Sequence, residues 1–256
     1  MEGIQKVFDP LLKIQGKVSV VYKNLITKES FFYNEDFPMQ AASVIKLFVL
    51  GEGFRQIEKG FLDTEERFVL KDKDRVPPSG VLTFLHDGLE VTTMDLLILM
   101  IILSDNVATN LLIDRLGIEN INRFIHELGF STSILRRKMF DYESAKQGNV
   151  NTITAKEVGL FLEKLFLGTV ISKEMDQKMI DILKSQQVIN KFPLLLEEGE
   201  VEIAHKTGED DGVSHDVGIF YTKKPFLLVV CGNELEDVGI NVVMGEVVKE
   251  LVEYHN

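Results

Sequence analysis

The spacing of apolar residues along the chain changes character several times. Ile4, Val7, Phe8, Leu11 and Leu12 recur at helical spacing and predict one amphipathic helix over residues 4–14. Residues 18–22 and 30–33 are short β-branched or aromatic runs that predict an antiparallel pair. After Pro38 an apolar stretch, 47–57, predicts a helix that begins at Ser43 and closes near Gly60. Residues 71–80 are charged and then turn-forming, and Pro77, Pro78, Ser79 and Gly80 mark a shaped loop. Residues 94–103 are apolar all round except for Asp95, with Thr93 read as the cap, which describes a helix buried in mid-domain.

That run stops at Ser104, Asp105 and Asn106. Helices over 106–116 and 119–128 follow, closed by Gly117 and Gly129. Residues 131–150 read as irregular, Thr154 with Glu157 as a capping box for a helix over 155–167, and Ser172 as the start of another helix to 185. From residue 201 the pattern turns strand-like, over 201–205, 215–222 and 226–232, with Gly208, Gly212 and Lys223-Lys224-Pro225 in the turns. A last amphipathic helix is predicted over 238–253.

Strands at both ends and helices between them imply an α/β fold of the α+β kind. One antiparallel sheet is built from both chain ends and flanked by the terminal helices, beside an all-helical lobe. The expectation is a single domain over 1–256, with an α/β lobe of 1–42 and 188–256 and a helical lobe of 43–187. A cleft between the lobes would gather Ser43, Ser104 and the 201–208 strand.

Composition narrows the function classes. With 256 residues and 45% apolar content, the chain can bury a substantial core. The net charge of −12 argues against a nucleic-acid partner. The longest apolar run, 96–103, is far short of the ~20 residues of a membrane span. Residues 1–15 mix Glu2, Lys6, Asp9 and Lys13 among the apolar positions, unlike a signal peptide, so the expectation is a cytoplasmic protein, or an exported one if a leader was removed. Cys231 is the one cysteine and reads as a buried strand residue. His86, His126 and His255 read as surface residues, and His205 as pointing away from Lys206. Metal-ligand spacing is missing, and no metal or organic cofactor is expected.

Ser43-Val44-Ile45-Lys46 then acquires weight. Serine and lysine three apart at a helix start place hydroxyl and ammonium one turn apart on one face, a nucleophile beside a base. The backbone N–H of Ser43 is among the first-turn donors, free to face developing negative charge. Taken singly, Ser43 reads equally as a helix cap, Ser104 and Asn106 as caps of the next helix, and Lys206-Thr207-Gly208 as a strand entering a turn.

Together and in order, Ser43-Val44-Ile45-Lys46, Ser104-Asp105-Asn106 and Lys206-Thr207-Gly208 resemble the serine β-lactamase and penicillin-binding protein superfamily, most closely the class A β-lactamases. The resemblance spans nearly the whole chain and implies a β-lactamase/transpeptidase-like fold. It also implies a serine hydrolase that opens β-lactam amides through an acyl-Ser43 intermediate. Lys46 would be the base, with Lys206 the second cation that lowers its pKa, and Ser104 the proton relay. Asn106 would hold an acylamino group, Lys206 and Thr207 a substrate carboxylate, Gly208 a close approach, and the Glu209 N–H the second arm of the oxyanion hole. The expected partner is a small β-lactam or acyl-peptide, and the expected state a monomer.

Two departures qualify the resemblance. The family's deacylating glutamate falls on Lys138 or Met139, and Asp141 and Glu143 are the nearest carboxylates, either a displaced base or solvated. The arginine expected after Gly208 is absent; Ser214, His215 and Asp216 stand there, with His215 either lining the cleft or facing solvent. The acidic Glu209-Asp210-Asp211 turn further disfavours an anionic substrate. The rival readings are a penicillin-binding-protein-like peptidase or esterase, a sensor acylated once at Ser43, and a catalytically idle relative.

Overall fold

Residues 226–231 are apolar without alternation because their strand is covered on both faces. The computed structural model describes residues 2–77, 79–236 and 239–256. In chain order it begins with helices α1 (Glu2–Val7) and α2 (Asp9–Leu12) and strands β1 (Lys17–Asn24), β2 (Ser30–Tyr33) and β3 (Met39–Gln40). A 3₁₀ turn, Ala42–Ile45, runs into α3 (Lys46–Glu58), followed by β4 (Arg67–Val69) and β5 (Glu90–Thr92). The helices α4 (Thr93–Ile102), α5 (Asn106–Leu116), α6 (Ile118–Glu127) and α7 (Tyr142–Lys146) come next. Strand β6 (Thr152–Ile153), α8 (Ala155–Phe166) and α9 (Lys173–Lys184) complete the middle, and β7 (Ile203–Asp210), β8 (Val213–Phe220), β9 (Phe226–Asn233) and α10 (Ile240–His255) the end.

The main sheet is antiparallel in the order β2-β1-β9-β8-β7, so both chain ends build it and β7 is a free edge. Alternate residues of β9 serve two cores. Phe226, Leu228 and Val230 pack with α1, α2 and α10, whereas Leu227, Val229 and Cys231 join the cluster formed by the central helices. Burial raises the Cys231 thiol to about 12, which leaves it inert. The short pairs β3–β6 and β4–β5 tie loops to the helical side. Among the described residues no helix is long and apolar enough to cross a membrane.

Several local expectations need correction. The single N-terminal helix is broken at Phe8, because Pro10 supplies no N–H to continue the ladder and fits instead in the first turn of α2. Thr92, not Thr93, caps α4: Asp95 N–H donates to Thr92 Oγ1 at 3.1 Å, and Asp95 Oδ2 accepts from Thr92 N–H at 2.8 Å. Thr154 does cap α8, but Glu157 does not return the bond. Its carboxylate instead accepts the N–H groups of Ser131, Thr132 and Ser133. Gly208, Glu209 and Asp210 belong to β7, and the turn is made by Asp211 and Gly212. His255 is buried, hydrogen-bonded to the Tyr22 hydroxyl at 2.7 Å. Pro78 of the predicted loop and Val238 of the predicted last helix lie outside the described residues.

Candidate active site

Ser43 sits on the 3₁₀ turn that feeds α3, entered through Ala42 at φ 42°. It lines a cavity of about 190 Å³ together with Gln40, Asn106, Met139, Tyr142 and Glu209, among others. Ala42, Ser104 at φ 54° and Phe140 at φ 60° are three of the six non-glycine residues with positive φ among those described. Strained backbone therefore gathers around this cavity, at a cost of order 1–3 kcal/mol each.

Directly behind the cavity lie two buried lysines. Lys46 Nζ is 2.7 Å from Ser104 O, 3.1 Å from Ser104 Oγ and 2.9 Å from Asn106 Oδ1. Lys206 Nζ donates to the same Ser104 hydroxyl at 3.0 Å and to Thr207 O at 2.7 Å. Neither lysine has exposed surface. Burial, and then the neighbouring Lys206, pushes Lys46 well below the usual lysine range, with Asp105 opposing. Burial likewise lowers Lys206 to about 7, with Asp216 opposing and Lys191 adding to the fall. A neutral Lys46 has two N–H donors, for Ser104 O and Asn106 Oδ1, and keeps one lone pair for a hydroxyl proton.

Asp105 explains how Ser104 comes to face both lysines. Its buried carboxylate accepts from Val81 N–H at 2.7 Å, Leu82 N–H at 2.9 Å and Ala108 N–H at 3.0 Å. One side chain thus caps α5 and pins the 79–82 loop to the Ser104 turn. Gly80 permits this: its φ is 97°, and a Cβ there would lie 2.2 Å from Asp105 Oδ2. One turn further along α5, Asn110 holds the backbone of Met139 in the 131–150 loop. Asn151 does the same for Arg136 and Arg137.

On the sheet side, Gly208 brings β7 against the Ser43 turn. A Cβ there would meet His215 Cδ2 at 3.0 Å, Val44 Cγ2 at 3.1 Å and Ala42 Cβ at 3.4 Å. His215 is fully buried, so it neither lines the cleft nor faces solvent. Its Nδ1 accepts from Gly232 N–H and its Nε2 donates to Gln40 O at 2.8 Å, an arrangement that requires the neutral ring. Burial lowers its pKa to about 4, which agrees. His205 lies on the opposite face of β7, 2.9 Å from Asp216 Oδ1.

Of the predicted catalytic and substrate-binding residues, Ser43, Asn106 and Glu209 border the cavity. Lys46, Ser104, Lys206, Thr207 and Gly208 are buried behind it. Asp141 and Glu143 do not border it: Asp141 Oδ1 caps α7 through Ser144 N–H at 3.0 Å, and Glu143 pairs with Lys146 at 2.7 Å. Met139 stands at the cavity wall instead. Sequence reasoning missed Asn110, whose i+4 spacing from Asn106 was a usable signal. It also missed Lys191, for which the sequence held none.

A family model described as the β-lactamase enzyme family matches residues 1–254. Beta-lactamase 3 of Bacillus cereus is 25% identical over 223 residues, which cover 85% of this chain and 70% of that protein. A β-lactamase from Sphaerobacter thermophilus has a crystal structure that matches with a TM-score of 0.91 at 30% identity, covering 99% of this chain and 97% of that one. PBP-A matches in fold, with a TM-score of 0.87 at 22% identity over 98% of this chain and 94% of its own. With nearly its whole length matched by that family model and its fold shared with solved members, the chain belongs to the β-lactamase enzyme family and is a β-lactamase-like serine hydrolase.

Proposed function

We propose that Ser43 is the acylated nucleophile of an enzyme that hydrolyses β-lactam amides, with deacylation as its slow step. The observation that carries the reading is the Ser104 hydroxyl held between the Nζ atoms of two buried lysines, at 3.1 Å from Lys46 and 3.0 Å from Lys206, directly behind the Ser43 cavity.

The proton path balances with these groups alone. Neutral Lys46 takes the Ser43 proton as Oγ attacks the amide carbon. The oxyanion faces the N–H groups of Ser43 and Glu209, each such donor contributing about 10²–10³ in rate. As the C–N bond breaks, Ser104 gives its proton to the nitrogen and takes the stored one from Lys46. Lys206 and Thr207 receive the substrate carboxylate. Asn106 has committed Oδ1 to Lys46, and its Nδ2, held among the described residues by a 3.4 Å contact with Pro77 O alone, is left for the acylamino carbonyl.

Hydrolysis of the ester needs an activated water, and neither Asp141 nor Glu143 borders the Ser43 cavity. That observation favours a second reading, in which the chain is a penicillin-binding-protein-like peptidase or esterase, or a sensor, that β-lactams acylate with little turnover. In both readings the substrate is a small β-lactam or acyl-peptide and the protein acts as a monomer. The net charge of −12 supports the exclusion of nucleic acid.

Mixing the protein with a chromogenic cephalosporin, with intact-mass detection of the adduct, separates the readings. Repeated turnover supports the lactamase, and a single burst with a lasting adduct on Ser43 supports the second reading. An undiminished adduct in Ser43→Ala overturns both.

A further inference from the structure

We propose that Lys191 is a positioning residue of the oxyanion hole, its ammonium orienting and polarising the Gly208–Glu209 peptide group whose N–H faces the substrate carbonyl. The inference rests on Ser43 being the acylated group.

Lys191 has no exposed surface and precedes a short 3₁₀ turn, Phe192–Leu195. Its Nζ donates to Gly208 O at 2.8 Å and to His215 O at 3.3 Å. Gly208 and His215 are register partners across β7 and β8, so the ammonium bridges two carbonyls that lie between the strands. The described residues contain no cis peptide bond, and a trans peptide directs C=O and N–H to opposite sides. With the Gly208 carbonyl turned toward β8, the Glu209 N–H is turned over the free edge of β7, where Glu209 and Ser43 line the cavity.

A cation on the carbonyl of an amide draws electron density through the peptide group and makes its N–H a stronger donor. The same bond fixes the plane of the peptide. Both effects are larger in a dry interior than in water. The charge has support: Glu209 Oε2 lies 3.6 Å from Nζ, and Asp216, with Glu209, opposes the fall in pKa that burial causes. Lys191 approaches from the Asp216 face of the sheet and has no contact with the cavity itself. It therefore acts through the peptide and not on the substrate.

The test compares wild type with Lys191→Met, Lys191→Gln and Lys191→Arg, with folding monitored by circular dichroism and thermal unfolding. Each protein is acylated by a penicillin labelled with ¹³C at the lactam carbonyl, and the ester carbonyl band is read by infrared difference spectroscopy. Affinity for phenylboronic acid, which forms a tetrahedral adduct on serine, is measured in parallel.

The expected result for Lys191→Met is a band at higher wavenumber and boronate binding weakened about tenfold or more. Lys191→Gln, with a neutral donor, should fall between, and Lys191→Arg, with a retained charge, should recover the band most fully. Should the Met variant fail to fold, the Gln and Arg variants carry the comparison. An unshifted band with unchanged boronate affinity in a folded neutral variant overturns the proposal and leaves Lys191 a clip between strands. Absence of any ester on Ser43 in the wild type overturns the parent reading instead.

Discussion

Asn110 and Met139 hold each other by a double amide clamp. Met139 N–H donates to Asn110 Oδ1 at 2.8 Å, and Asn110 Nδ2 donates to Met139 O at 3.0 Å. The clamp fixes Met139 at the wall of the cavity that Ser43 lines. An apolar thioether there cannot take a proton from water, whereas a positioned carboxylate typically contributes 10²–10⁴ as a general base. Met139→Glu should therefore speed deacylation, by at least about tenfold. The ratio of burst rate to steady-state rate with a chromogenic cephalosporin measures this, and an unchanged ratio would show that the position does not reach the ester.

Lys206 sets a pH dependence. Its pKa is lowered to about 7, burial being the largest cause, and its charged form is the one that attracts a substrate carboxylate. Activity toward an anionic β-lactam should fall as pH rises above about 7, and Lys206→Arg should move that fall to higher pH. The two lysines share Ser104, so the observed limbs belong to the pair. Stability follows the opposite sign. Between about 7 and the ordinary lysine value of 10.5, the unfolded chain holds the proton that folded Lys206 has lost, so unfolding free energy rises with pH across that window. Thermal unfolding at pH 7 and 9.5 should show the rise, and Lys206→Met should reduce it, with Lys46 and Lys191, lowered by burial as well, supplying the remainder.

Gly80 carries a structural prediction. Its φ of 97° disfavours any side chain, and a Cβ would sit 2.2 Å from Asp105 Oδ2. Gly80→Ala must push the loop off Asp105, which strips the buried carboxylate of its bonds from Val81 and Leu82. A loss of about 2 kcal/mol or more is expected in urea unfolding, since desolvated polar groups left unpaired cost 1–3 kcal/mol each. Acylation should slow as well, because Asp105 also sets the turn that aims Ser104 at the lysines. Wild-type stability in this variant would mean that the loop repacks freely.

The fold and the three motifs were legible because their information is local. Short β-branched or aromatic runs located the strands and period-3.6 patterns the helices, and Ser43, Ser104 and Lys206 stand in short runs whose chemistry is distinctive. What the sequence hid depends on distant partners. Asp141 and Glu143 were the visible carboxylates, but the residue at the cavity wall is chosen by Asn110, 29 positions from Met139. Lys191 supports a peptide 17 residues away, and nothing near Asn190 or Phe192 marks it. Glu209 and Asp210 read as a turn because acidic residues are depleted from strands, yet a free edge beside a cleft leaves both side chains in water.

Those two carboxylates predict selectivity. Asp210 Oδ2 accepts from Gln40 Nε2 at 2.9 Å, Glu209 borders the same cavity, and Arg137 is the one cation among its described lining residues. Two penicillins that differ only in an amino or a carboxylate group on the side chain change the ligand charge there by two units. Exposed pairs of opposite charge typically contribute about 0.2–1 kcal/mol each, less in salt. The amino compound should therefore show roughly tenfold higher kcat/KM than its carboxylate twin. Asp210→Asn should narrow the ratio about threefold, and 0.5 M salt should narrow it further without changing the order. Equal rates for the twins at low salt would show that the side chain of the substrate leaves the cleft away from β7, on the side of Tyr142.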